Sequence, residues 1–391
     1  MSPGTVADGS AHPDVGEDTR VDAMLPDAGL PAAARLTAEG ALLVEGRHSV
    51  APDGKGNYAL AWIEIPAGEA KQRVVFAVVS PQGKVLAGPD EIVPLDKGQT
   101  FIRLFHTGAG FVLFRNDDGS SHVTAVSFSA PAAGAILAKS TDVGGYYQPA
   151  LYPTDTGFVV LSASQATCAS GQTAPANQVR ARPLDPEGVP TTGSVLVECT
   201  GERQLYPQGV WTGSRHFVIW TDYRSATRVR GVSLDKDLKP VAPSEVLWEQ
   251  GGTQSVAGLA HDGEGNLLAS WTKSGHLWHL ALSEDGTPLW SEAVQLIPDN
   301  RLESLTNEMT GGGGRVAVVW ESDAQTVLTQ IRLLLIDPGA AAPQALAPVL
   351  LTHLDYGFLY PHAARGSSGY GVSFLGEVAG NRALYFEAIS D

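Results

Sequence analysis

An apolar stretch ending in Trp or a substitute recurs seven times along the chain, and this recurrence constrains the fold more than any other feature. The copies are Tyr58-Ala-Leu-Ala-Trp62, Phe111-Val-Leu-Phe114-Arg115, Phe158-Val-Val-Leu161-Ser162, Phe217-Val-Ile-Trp220, Leu267-Leu-Ala-Ser-Trp271, Val316-Ala-Val-Val-Trp320 and Tyr370-Gly-Val-Ser-Phe374. Aligned on the last residue of each, they span 312 residues in six intervals, a mean period of 52. A second apolar run follows each copy after a polar loop, as in Val74–Ser80, Val229–Asp235 and Ile331–Asp337. Many of these runs end in tight-turn residues such as Pro186-Glu-Gly or Glu284-Asp-Gly, which join antiparallel strands. A period of this size in strand-like segments predicts an all-β, seven-bladed β-propeller with four antiparallel strands per blade.

The fourth repeat illustrates one blade. Gln208–Thr212 reads as the inner strand, His216–Trp220 as the second, Arg228–Leu234 as the third, and Glu245–Trp248 lies in the outer strand. The second strand is apolar at successive positions, the pattern of a strand covered on both faces. Its neighbours on the two faces are then the preceding and following blades. The large aromatic at its end is expected to fill the wedge between them, so Trp62, Trp220, Trp271 and Trp320 read as core. The seventh copy stops at Ser390-Asp391, short of an outer strand, while Leu36–Val44 matches a turn plus outer strand. Residues 36–46 are therefore expected to close the last blade and cover its edge.

Trp220-Thr-Asp222-Tyr-Arg224 resembles the Trp-x-Asp-x-Arg signature of bacterial propeller repeats, similar to the Tyr-Trp-Thr-Asp, TolB-like and WD40 propellers. The resemblance covers residues 36–391 at the level of fold and implies a binding scaffold. One copy in seven keeps both the Asp and the Arg.

The division expected is an acidic Ala/Gly/Pro-rich tether over 1–34 and a propeller over 35–391. The tether carries Asp8, Asp14, Glu17, Asp18, Asp22 and Asp27 against Arg20 and has too little apolar surface to build a core. It resembles the linkers that follow the lipid anchor of bacterial surface lipoproteins, without the anchoring Cys, which implies an extracytoplasmic protein; a plain disordered end is the other reading. The start, Met1-Ser-Pro-Gly, has neither a basic nor an apolar leader segment, so a cytoplasmic chain and a mature exported one both fit. A net charge of −16 argues against nucleic acid and anionic membrane surfaces as partners, and no apolar run is long enough for direct membrane insertion. Cys168 and Cys199 are the two cysteines, both in the longest repeat; they are expected to form a disulfide under oxidising conditions, with two free thiols as the alternative.

Catalytic motifs are sparse. There is no Gly-x-Ser-x-Gly elbow, and Gly311–Gly314 is followed by Arg315 where a phosphate loop needs Lys. His276 and His279 are three apart in a strand and point to opposite faces, so no metal is expected there, and no cofactor elsewhere. Asp53-Gly-Lys-Gly-Asn57 and Asp262-Gly-Glu-Gly-Asn266 have too few carboxylates for calcium and read as turns.

One pattern is left. The segments leading into inner strands are aromatic, and the loops leaving second strands, on the same face, are polar. Tyr147, Tyr206, Tyr356 and Tyr360, fringed by Asp222 and Arg224, form the candidate binding site for a protein or glycan. The alternatives are that Tyr-x-Pro packs blades together, that carboxylates converge at the axis in a hydrolase or lyase acting on polysaccharide or peptide, or that the chain is a subunit of a larger surface assembly.

Overall fold

The computed structural model describes residues 34–37, 42–69, 71–95, 101–116, 122–129, 139–145, 147–168, 176–223, 227–249, 254–274, 276–296, 307–323, 329–343, 348–351, 357–378 and 381–390. These are strands and turns arranged as seven antiparallel sheets. Blade 1 comprises Leu42–Pro52, Tyr58–Ile65, Gln72–Val79 and Val85–Leu95, in that order from the inner strand outward. Blade 4 comprises Gln204–Trp211, His216–Tyr223, Thr227–Leu234 and Glu245–Glu249, within a few residues of the bounds read from the sequence. Blades 2, 3 and 6 follow the same meander, with inner strands Ile102–His106, Tyr147–Thr154 and Asn307–Gly312. In blade 5 (Gln254–His261, Asn266–Lys273 and His276–Ser283) the fourth position is reduced to the isolated bridges His279↔Val294 and Leu282↔Pro288.

Blade 7 is Gly357–Arg365, Gly369–Val378 and Asn381–Ser390, and the N-terminal strand Ala34–Arg35 supplies its outer edge. Ala34 pairs with Phe386 and Arg35 with Tyr385. The seal continues as Leu36 N donates to Leu384 O, 2.8 Å, and Leu384 N donates to Thr37 Oγ1, 3.3 Å. Closure therefore uses residues 34–37, and the expected span of 36–46 is corrected: Leu42 onward is already the inner strand of blade 1. Leu36 and Leu43 enter one core cluster with Phe386, so two apolar patches with similar sequence signals serve two different blades. The compact unit begins at Ala33.

The core lies between blades. Trp62, Trp220, Trp271 and Trp320 have at most 1 % of their surface exposed. Trp62 packs with Leu375, Leu384 and Phe386 of blade 7, and Trp220 with Tyr152, Leu161 and Val179 of blade 3. Burying an aromatic of this size removes roughly 150–250 Å2 from water, which makes these wedges the main cohesive contacts. The second strands read as continuous apolar runs because both faces meet such a neighbour.

The turns obey local chemistry. Asp53 Oδ1 accepts from Lys55 N (2.7 Å) and Asn57 N (2.9 Å), and Asn57 Nδ2 donates to Oδ2. Asp262 and Asn266 repeat the arrangement, so both loops are Asx turns. The turns between third and outer strands lean onto the preceding blade. Gly188 has φ +82°, and a Cβ there would come within 2.4 Å of Ala125. At the matching place in blade 4, Leu238 takes φ +62° and buries its side chain against blade 3. Beyond the second strand of blade 3, Cys168 is bonded to Cys199, Cα atoms 5.2 Å apart.

Candidate functional site

Strand direction brings the start of each inner strand beside the end of the second, as in Gln204↔Asp222, Gly357↔Glu377 and Ile102↔Arg115. This end of the propeller is the funnel face. Two tyrosines there share an unusual backbone. Tyr206 has φ +54° and Tyr360 φ +56°, each precedes a proline, and each lies in a register break, between Leu205 and Gln208 or between Leu359 and His362. A bulky residue in the left-handed region costs roughly 1–3 kcal/mol and persists when its surroundings impose it. At Tyr360 the N–H donates to the buried carboxylate of Glu321 from blade 6. Tyr206 rests on the core between blades 4 and 5. Beside it Tyr223, whose hydroxyl pKa is raised mainly by burial and further by Tyr206, bonds Ser255, and the Arg203 guanidinium lies 5.3 Å above its ring.

The other expected site residues are placed differently. Asp222 has no exposed surface; Arg230 Nε lies 3.7 Å from its carboxylate and 3.7 Å from that of Glu198. Blade 1 shows the same device. Glu64 Oε2 accepts from Trp62 Nε1 at 2.8 Å, and Glu64 Oε1 accepts from Arg73 Nη2 at 2.7 Å. In both blades the acid two residues after the Trp shares its face of the strand; in blade 1 it clamps an Arg by hydrogen bonds, while in blade 4 Asp222 is buried with the Arg230 guanidinium 3.7 Å away. Tyr147 opens the inner strand of blade 3, opposite Ala163, and its side chain is not described. Tyr356 and Arg224 lie outside the described residues.

A polar cluster at the axis had no signal in any single repeat. His48, Arg103, Glu308 and His362 come from the inner strands of blades 1, 2, 6 and 7. His362 Nδ1 contacts Glu308 Oε2 and lies 3.3 Å from Arg103 Nη1. The His48 ring meets His362 edge-on at 4.6 Å, and His48 Nδ1 is 3.0 Å from Ser373 Oγ. Burial, and then the neighbouring His362, hold the His48 pKa well below the usual imidazole range. Burial pushes Glu308 upward, but His362 and Arg103 outweigh it and hold the carboxyl below its ordinary value. In register, His48 and Arg103 sit opposite Trp62 and Phe114, and Glu308 and His362 sit one residue from the matching level. Aligning the inner strands on the second-strand aromatics is the signal that could have found them.

Among the described residues this axial set brings in one carboxylate, Glu308. The carboxyl with a raised pKa is Glu387, pushed up to about 7 by burial; it lies on the third strand of blade 7, opposite Val372. Among the described residues no three His, Cys, Asp or Glu side chains converge as metal ligands. His279 is buried and its pKa lowered to about 3 by that burial, while His276 Nδ1 faces Gln295 Nε2 at 3.1 Å.

No family model matches the chain, and no curated protein matches its sequence. Among solved structures, the β-propeller domain of the Trilobed protease from Pyrococcus furiosus is 10% identical, with 88% of this chain and 97% of that one covered and a TM-score of 0.52. A prolyl endopeptidase is 11% identical over 88% of this chain with a TM-score of 0.48, and the chain spans 50% of that protein's length. A subtype N11 neuraminidase-like protein of A/flat-faced bat/Peru/033/2010 (H18N11) is 9% identical, with 92% and 94% covered and a TM-score of 0.44; the last two likenesses are too loose to bear on function. The chain is a seven-bladed β-propeller sealed by its own N-terminal strand, and the fold is what it shares with the Pyrococcus protease domain.

Proposed function

We propose that the protein is a non-catalytic binding propeller, working outside the cytoplasm, that recognises a glycan or protein partner through its funnel face. The observation that carries this reading is the pair Tyr206 and Tyr360, held in left-handed backbone at equivalent positions of blades 4 and 7. Strain of this kind concentrates where a side chain must be presented in one direction. A tyrosine so presented offers a large contact area with few rotors left to freeze. Tyr147 and Tyr356, from the segments that lead into the inner strands of blades 3 and 7, extend the set, with Arg224 as polar fringe and Asp222 as support from below.

The axial cluster favours binding over hydrolysis. Glycoside cleavage uses two carboxylates, one of them protonated near neutral pH, whereas the described residues of the cluster bring one, Glu308, whose pKa is held below its ordinary value by His362 and Arg103. The Cys168–Cys199 bond supports an oxidising location.

The test is a screen of the full chain against immobilised polysaccharides and surface proteins, repeated with Tyr206→Ala and Tyr360→Ala. Each substitution is expected to weaken binding by about 2 kcal/mol, roughly 30-fold, with little change in melting temperature. Variants that bind like the wild type sink the reading, and so do variants that chiefly unfold.

A further inference from the structure

The funnel face is not chemically uniform. Its aromatic side chains in blades 4 and 5 fall into two units, each with a cation against a ring. In the inner unit Arg203, an exposed side chain, lies over Tyr223 with Tyr206 alongside. In the outer unit Trp248, near the end of the outer strand of blade 4, meets Trp278, near the start of the third strand of blade 5. Their ring centroids are 5.4 Å apart and their planes inclined by 34°. Lys273 Nζ stands 5.5 Å from each of these rings.

Register places all of these groups at one end of the blades: Tyr223 pairs with Thr227, Val229 with Trp248, Trp271 with Trp278, and Lys273 with His276. Tyr206, Trp248 and Trp278 rest on the same inter-blade core around Trp271, and all three are half-buried. The two units are therefore mounted on one rigid floor. The acids nearby in the chain include Glu202, Asp222, Glu245 and Glu249; Glu249 is bonded to Arg228 at 2.5 Å, and Asp222 lies 3.7 Å from Arg230. In a chain of net charge −16, this sector sets Arg203 and Lys273 against aromatic rings.

We propose that the blade 4–5 sector is a binding site for a polymer of carboxylated sugars. The inference rests on the reading that the funnel face binds a partner, and it names the ligand class. An apolar ring face takes the C–H side of a sugar, and a cation beside that ring takes its carboxylate; a uronate chain offers both at every unit. Cations already leaning on rings have lost part of their rotamer freedom before the ligand arrives, which lowers the cost of fixing them. An acidic peptide would offer carboxylates to Arg203 and Lys273 but no matching surface to the two indole faces. The long-range field of the acidic protein opposes any polyanion, so binding depends on these short contacts and not on steering.

The experiment measures binding of the full chain to polygalacturonate, to the same polymer fully methyl-esterified, and to poly-L-glutamate. Lys273→Met, Arg203→Gln, Trp278→Ala and Tyr360→Ala are compared with the wild type, each with a melting curve. The expected result is at least a ten-fold preference for the acid over the ester, no comparable binding of poly-L-glutamate, and loss of the preference in Lys273→Met at unchanged melting temperature. Lys273→Met keeps the aliphatic stem, so it remains informative even where Trp278→Ala loosens the core. Equal affinity for acid and ester, poly-L-glutamate binding as well as the sugar, no binding of polygalacturonate, or undiminished preference in both Lys273→Met and Arg203→Gln each overturn the proposal. Binding of some other partner that is lost in Tyr360→Ala but kept in Lys273→Met also overturns it, while leaving the funnel-face reading intact.

Discussion

The axis and the blade 4–5 sector of the funnel face draw on the same repeat yet use charge in opposite ways. At the axis, Arg103, Glu308 and His362 come from three different blades and satisfy one another, with His48 kept neutral beside them. On blades 4 and 5, Arg203 and Lys273 lean on aromatic rings at the protein's surface. The contacts of Glu308 with His362, of Arg103 with His362 and of the His48 ring with His362 tie blades 6, 7, 1 and 2 together around the closure. Under the proposed binding reading, the contrast separates a polar cluster that holds blades together from one that meets a ligand.

The largest effect is expected at the axis. Glu308→Ala leaves His362 and Arg103 without their acid and should lower stability by about 3 kcal/mol or more, read as a drop in the denaturation midpoint. By contrast Arg228→Ala, which removes a surface pair with Glu249, should cost less than about 1 kcal/mol. Equal losses in the two variants would erase the distinction between the regions.

A second measurement sharpens the binding side. The Cys168–Cys199 bond spans 31 residues and anchors the segment that leads to Arg203 and Tyr206. That segment is also held from beneath: Thr200 N donates to Gln178 Oε1 at 3.0 Å, and Val179 N donates to Gln204 Oε1 at 2.8 Å. Replacing both cysteines with Ser should cost about 2–4 kcal/mol and speed amide exchange in residues 199–206 more than at the axis. Detection of two free thiols in protein isolated without reductant would remove the premise.

Two glutamates give the comparison a pH dimension of about the same or smaller size. Glu308 has a depressed pKa in the folded state, so its contribution is present above the ordinary carboxyl range and is lost as pH falls. Glu387 runs the other way. Its pKa rises from 4.5 to about 7 on burial, so stability is greatest below pH 4.5 and declines as pH rises toward 7 and the buried carboxyl ionises. That penalty is about 3 kcal/mol above pH 7 at most. Glu387→Gln should therefore stabilise the protein at pH 8 and leave it nearly unchanged at pH 4, as read by urea midpoints. A gain that is the same at both values would show that Glu387 does not titrate in the folded protein.

Much of the fold was legible in the sequence because its signals are local. The period-52 aromatic marks, the doubly covered second strands and the Asx turns at Asp53 and Asp262 each depend on residues within one blade, and the structure places them as read. The closing strand was legible in kind but displaced in position. Leu36 and Leu42–Val44 look alike as apolar runs, and only the ring decides that the first seals Leu384 while the second starts a new blade. The site was legible as a row of tyrosines and not as a geometry. That Tyr206 and Tyr360 adopt positive φ depends on a register break and, for Tyr360, on Glu321 from the neighbouring blade. The axial cluster was not legible at all. Its members lie in strands as far apart as residues 48 and 362, among other polar residues that do not join the cluster. Blade type follows from local periodicity, but partnership between side chains follows from closure, which brings both ends of the chain to one axis and leaves no trace in the neighbourhood of either.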